Sequence, residues 1–295
     1  MRETPRIMHA LSFDIEDWFH IVETEAGENP HQWSAFPSIV EGRTRQILEL
    51  LREFDVRATF FILGWVAERY PSVVRMIADE GHEIGTHSFW HRKVYELTPE
   101  AFHEDLLDSI DVIREHSGVE VHGFRAPSFS IIPGTEWAFD VIRKVGLKYD
   151  ASLFPARRAH GGYPCECGPH LQNGRDSEPI PELPMSVLPL GPFRFCFSGG
   201  GYFRLLPAWL IERGFELAER AKRPAVVYLH PRDFATDCPV AAMSAFRRFK
   251  CYVGQGSTEG KLRRLLEKYR FTTCYEVLRH ANLAPLVTAE AEVLR

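Results

Sequence analysis

The sequence predicts an α/β fold built as a parallel barrel, and three observations lead there. Short apolar runs of four to seven residues alternate with amphipathic segments of 10–18 residues along most of the chain, the pattern of repeated βαβ units. Reactive polar residues stand directly after those runs, where a parallel barrel gathers its strand ends on one face. The chain has 295 residues, a length that α/β barrels commonly reach undivided.

Taken in order, Ile7–Phe13 reads as the first strand and leads to Asp14. Arg57–Leu63 is the second, feeding a helix over Gly64–Asp79 that Gly81 ends. Glu83–Thr86 leads to His87, and Pro99–His116 follows with Phe102, Leu106, Ile110 and Ile113 at helical spacing. Val121–Phe124 leads to Arg125, and a helix is predicted at Glu136–Lys144. Leu147–Tyr149 leads to Asp150. Residues 155–192 are rich in Gly and Pro without clear periodicity and read as a lid or binding loop carrying short strands. After a helix at Pro207–Ala221, Ala225–Leu229 leads to His230. The alternation then stops. Residues 1–232 are read as the barrel and 233–295 as a C-terminal extension, with helices at Ala241–Lys250 and Lys261–Tyr269.

Composition excludes several classes of function. With 35 Lys+Arg against 40 Asp+Glu the formal charge is −5, which argues against a nucleic-acid partner, since a phosphate backbone asks for a basic face. The longest apolar stretch, Ala58–Ala67, contains Thr59 and Gly64 and stops at Glu68, far short of the roughly 20 residues a transmembrane helix needs. No apolar core precedes the acidic cluster near the N-terminus, and the six cysteines form no C-x-x-C pair. The expectation is therefore a cytoplasmic protein without a signal peptide, its thiols reduced.

Two clusters carry candidate chemistry. Asp14-Ile15-Glu16-Asp17 places three carboxylates within four positions; like charges this close repel unless a cation or guanidinium stands nearby. His87-Ser88-Phe89-Trp90-His91 spaces two imidazoles i, i+4, which on a helical turn puts both on one face. Two His and a carboxylate with open positions suit a catalytic divalent metal, zinc first. The bland readings are acids collected at a helix N-terminus and an ordinary surface histidine pair. Other motifs fail. His160, Cys165, Cys167 and His170 lack zinc-knuckle spacing, and Gly254–Lys261 has Gln255 and Leu262 where a phosphate loop needs Gly and Ser/Thr. No G-x-S-x-G nucleophile elbow occurs.

At these residues the sequence resembles the polysaccharide deacetylases of the NodB-homology type, carbohydrate esterase family four, over about residues 7–232. Five motifs follow in the family's order: Ser12-Phe13-Asp14, His87–His91, Arg125-Ala126-Pro127, Asp150–Phe154 and Leu229-His230. The resemblance implies a distorted, seven-stranded (β/α) barrel. It also implies removal of N-acetyl groups from amino sugars with release of acetate. Asp14 would be the general base, oriented by Arg125. His230 would be the general acid, oriented and charged by Asp150. Zn²⁺ would be held by His87, His91 and a carboxylate. The usual adjacent second Asp is replaced by Ile15, so the carboxylate ligand moves to Glu16, with Asp17 as fallback. Phe154 and Pro155 stand where the fourth motif commonly has Trp.

The stretches Tyr228–Pro231 and Phe246–Phe249, on to Tyr275, are similar to deacetylases encoded with bacterial exopolysaccharide loci. That implies an N-acetylated amino-sugar polymer or lipid-linked oligosaccharide as partner. Two other readings stay open: an allantoinase-like hydrolase of a small cyclic amide, and a carbohydrate-binding protein without turnover.

Overall fold

The computed structural model describes residues 7–156, 161–190 and 193–285. Its framework is a curled sheet with strand order β10-β1-β2-β3-β4-β5-β7-β6. The strands are β1 (Met8–Ile15), β2 (Thr59–Ile62), β3 (Glu83–Thr86), β4 (Gly123–Phe124), β5 (Tyr149–Asp150), β6 (His170–Gln172), β7 (Ile180–Glu182) and β10 (Val226–Leu229). The run from β10 to β7 is seven parallel strands, and β6 lies antiparallel on β7. A separate hairpin pairs β8 (Val187–Leu190) with β9 (Phe193–Cys196). The expected irregular segment thus contains ordered strands, two of which, β6 and β7, join the main sheet; His160 lies outside the described residues.

Among the described residues no ladder joins β7 to β10, so the barrel stays open there. An exposed strand edge leaves backbone groups unpaired. Here Val226 N–H donates to Ser186 Oγ and Val226 C=O accepts from Ser198 Oγ, both at 2.7 Å, and Gly199 bridges Tyr228. These flanking contacts cover the β10 edge.

The helices are α1 (Val40–Glu53), α2 (Gly64–Arg69), α3 (Pro71–Asp79), α4 (Pro99–Ser117), α5 (Trp137–Lys144), α6 (Gly200–Leu205), α7 (Ala208–Arg220), α8 (Ala245–Tyr252), α9 (Thr258–Lys268) and α10 (Cys274–His280). The helix expected over 64–79 is two helices, because Pro71 cannot donate its backbone hydrogen bond and begins a new first turn. α1 escaped the sequence reading, although Val40, Thr44, Ile47, Leu48 and Leu51 bury one face. α4 shows full punctuation: Thr98 Oγ1 accepts from Ala101 N, Pro99 opens the first turn, and Gly118 closes it at φ 68°.

The segment after 233 returns to the barrel. β11 (Arg270–Thr272) pairs parallel with Met8–Ala10 of β1. α10 then packs under the sheet: Cys274 N–H donates to Thr59 Oγ1 and Tyr275 N–H to Glu83 Oε2. Thr59 and Glu83 are the first residues of β2 and β3, so α10 plugs the mouth opposite the strand exits. The expected extension is part of the barrel's floor.

Candidate active site

The site is built where β1, β3, β4 and β10 end. Side chains alternate along a strand, so Asp14 and Glu16 leave β1 on the same side and Asp17 turns away. Asp17 accepts from Trp18 N at 2.8 Å, Ser38 Oγ at 2.5 Å, Ile39 N at 3.1 Å and Val40 N at 3.3 Å. Its carboxylate thus sits on the first N–H groups of α1, a structural post suited to the helix dipole.

The donor atoms of Glu16, His87 and His91 lie within 4.8 Å of one another, and no other such group of three occurs among the described residues. Cys165, Cys167 and His170 do not gather in this way. The stretch 87–91 is a bend rather than a helical turn, with Ser88 at φ 66° and His91 at φ 55°. Several contacts hold this left-handed path. Phe89 N and Trp90 N donate to Asp105 of α4 at 2.7 and 3.2 Å, and His91 N donates to Ser88 Oγ. Gly64 N donates to Ser88 O at 2.8 Å, and a Cβ on Gly64 would meet Phe89 Cδ2 at 2.6 Å, so only glycine admits the bend so closely.

Three features fit this group to a cation. His87 Nδ1 donates to the Arg125 carbonyl at 2.7 Å, leaving the Nε2 lone pair free to ligate. Glu16 Oε2 faces His91 Nε2 at 2.5 Å, yet it is buried and without a hydrogen-bond partner. The His₂–carboxylate donor set matches catalytic zinc sites. Glu16 Oε1 accepts from Arg232 Nη1 at 2.6 Å. Burial would raise the Glu16 carboxyl, but the charges of His91 and Arg232 prevail and hold it well below the usual range.

Asp14 lies beside this group. Its Oδ1 accepts from Arg125 Nη1 at 2.8 Å. Arg125, with no exposed surface, also donates to Ser12 Oγ and Ala151 O and lies 4.2 Å over the Phe61 ring. Burial opposes ionisation of Asp14, but Arg125, His87 and His230 outweigh it and its pKa is lowered.

His230 stands opposite, its Nε2 at 3.9 Å from Asp14 Oδ2 and 3.8 Å from Glu16 Oε1. Its orienting carboxylate is not Asp150. Asp233, three residues on, accepts from His230 Nδ1 and from the His230 backbone N–H, both at 2.9 Å, and is itself paired with Arg204. Asp150 is engaged elsewhere. It accepts from Ser152 Oγ at 2.6 Å and stands beside Glu182, its register partner on β7. Ser152 Oγ in turn accepts from Ala126 N at 2.7 Å, so Asp150 braces the backbone beside Arg125. Burial and the Asp150 charge push Glu182 well above the usual carboxylate range, so this pair keeps a proton. The expectation of a resting imidazolium also changes: burial, then the Arg232 charge, pushes His230 down to about 3.

Sequence reading missed Arg232, Asp233, Arg204, Asp105 and Glu182. Only Asp233 left a signal, the His-x-x-Asp spacing of a capping box after β10. Of the aromatic residues near the site, Trp18, Phe19, Phe89, Phe129 and Phe154 are buried and Trp90 is half-buried.

Fold and site together define a distorted (β/α) barrel whose strand exits assemble a carboxylate–arginine pair, a His₂–carboxylate group and an opposed histidine. Residues 4–149 match the polysaccharide deacetylase family, and residues 151–279 match a domain of unknown function (DUF3473). The chain is similar to the peptidoglycan-N-acetylglucosamine deacetylase of Bacillus cereus, 31% identical over 119 residues, covering 36% of this chain and 43% of that protein. It is also similar to the chitooligosaccharide deacetylase of Azorhizobium caulinodans, 34% identical over 111 residues, covering 36% and 49%. These matches span less than half the length of either relative. Among solved structures, a Mycobacterium smegmatis protein assigned as a polysaccharide deacetylase aligns with TM-score 0.62 at 19% identity, covering 96% of this chain and 93% of that one. A carbohydrate esterase family four pseudoenzyme from Bacillus anthracis aligns with TM-score 0.51 at 15% identity, covering 93% and 66%. These two likenesses establish the fold alone.

Proposed function

We propose that this protein hydrolyses N-acetyl groups of amino sugars in a polysaccharide, or in its lipid-linked precursor, releasing acetate. The observation that carries the reading is the meeting of Asp14, Arg125, His230 and the Glu16–His87–His91 group at one mouth, since chemistry belongs to the site rather than to the fold. The names of the curated relatives, deacetylases of peptidoglycan and chitooligosaccharide, support the same bond type.

Glu16, His87 and His91 would hold a divalent cation, zinc by donor chemistry. Such an ion supplies a Lewis acid for the amide carbonyl and lowers the pKa of water towards about 7. Asp14, kept ionised by Arg125, is placed to take the proton of the attacking water. His230 Nδ1–H is committed to Asp233, so Nε2 carries a lone pair and must be loaded before it can give a proton to the leaving amine. Asp14, facing it across 3.9 Å, is the group positioned to pass that proton on. Arg232 holds the second oxygen of Glu16 and so fixes the carboxylate's direction.

The test is acetate release from N-acetylglucosamine oligomers by the native chain and by Asp14→Asn. The variant should lose roughly 10²–10⁴ in rate while retaining its metal. Equal turnover by both, or none by either metal-loaded protein on any N-acetylated glycan, would overturn the proposal.

A further inference from the structure

Some of the most exposed large apolar side chains of the described residues stand beside the mouth of the cleft. α8 is anchored by one side only: Lys250 O accepts from Arg204 Nη2 at 2.9 Å, and Arg247 pairs with Glu23 at 2.6 Å and donates to Val22 O. Both anchors lead to the site. Arg204 pairs with Asp233, which holds His230, and Glu23 lies 3.9 Å from Lys93, two residues after His91.

The free side of α8 buries nothing. Phe246 is 72% and Phe249 53% exposed, one helical turn apart, and Arg248 and Lys250 are exposed with them. Lys250 Nζ lies 4.9 Å over the Phe246 ring, and neither Arg248 nor Lys250 has a carboxylate partner among the described residues. Leu205, ending α6, and Trp209, in the first turn of α7, are 53% and 67% exposed.

We infer that α8, with Leu205 and Trp209, is an interfacial docking surface for an anionic lipid bilayer, seating the cleft against the membrane. Phenyl and aliphatic groups without polar tips suit an acyl boundary, and uncompensated cations beside them suit anionic headgroups. This local positive charge stands out in a chain of net charge −5. Among the described residues no helix is long and apolar enough to cross a membrane, so α8 would lie on the surface. The inference stands whatever reaction the cleft performs, because its readout is vesicle binding.

The test is sedimentation of the full chain with vesicles of phosphatidylcholine, alone or with roughly a third phosphatidylglycerol. Binding should be at least about tenfold stronger to the anionic vesicles and should fall in high salt. A Phe246→Ser/Phe249→Ser variant with unchanged circular dichroism and unchanged turnover of soluble oligomers should lose about tenfold in vesicle binding. If that pair does not fold, Arg248→Gln/Lys250→Gln should still lose the preference for anionic vesicles. The inference fails if anionic vesicles leave the native chain in the supernatant, or if a folded variant binds them equally. It also fails if exposure of Phe246 and Phe249 instead reports a dimer in solution, or a soluble glycan site, with no vesicle binding.

Discussion

In the half of the cleft built from β1, β3 and β4, reactive groups are fixed largely by the strands that carry them and by one helix. His87 is locked by the carbonyl of Arg125, Asp14 by that same arginine, and the bend to His91 by Asp105. The half built from the exit of β10 borrows its support from farther away. His230 depends on Asp233, Asp233 on Arg204, and Arg204 on the carbonyls of Lys250 and Val253. The two family matches end at Tyr149 and begin at Ala151, on either side of Asp150, the last residue of β5, yet β10 and β11 both pair with β1. The second matched segment therefore completes the same barrel and brings His230 to its mouth.

The sharpest break in this comparison comes from the first half. His91→Ala should abolish metal retention and leave acetate release at background, measured by elemental analysis and assay, while the melting temperature stays near native. Next comes Asp233→Asn. It should lower kcat by roughly a hundredfold and move the pH profile while metal content is unchanged. Asp150→Asn, which the family resemblance would make its equal, should cost less than about tenfold. If Asp150→Asn is the more damaging and alone shifts the pH profile, the two halves are not supported as described.

The smallest effect concerns stability. Glu182 is raised well above its unfolded value of about 4.3. As pH rises past that value the unfolded chain gives up the proton and the folded chain keeps it. The stability that this carboxyl contributes is full below about 4.3 and is lost as pH climbs towards its folded pKa. Glu182→Gln should flatten that decline in melting temperature between mildly acidic and neutral pH, with little change in turnover. An unaltered slope would remove the proton from the Asp150–Glu182 pair.

These differences explain what the sequence reveals. Strand exits were legible because short apolar runs stop at Asp14, His87, Arg125, Asp150 and His230, and four of the five meet at the mouth. Asp150 is also a strand exit, but spacing cannot tell whether a buried carboxylate turns to a histidine or to a partner such as Glu182, 32 residues later. The choice of Glu16 over Asp17 follows from pleat alternation and from the start of α1, and that helix went unread. Arg232 and Arg204 are invisible to pattern because each takes its meaning from a distant contact. Pro71 and the left-handed Ser88 and His91 show the same limit locally: helical spacing was read where the chain bends.

The proposed chemistry centres on one cation that Glu16, His87 and His91 of the first matched segment would hold, with His230 of the second facing it. The most direct measurement is an anomalous difference map from crystals of the zinc-loaded protein. The expected result is a single strong peak touching Glu16, His87 and His91, with His230 facing it and no bond to Asp17. A peak at Asp17, one among Cys165, Cys167 and His170, or His230 turned away from the ion would contradict it.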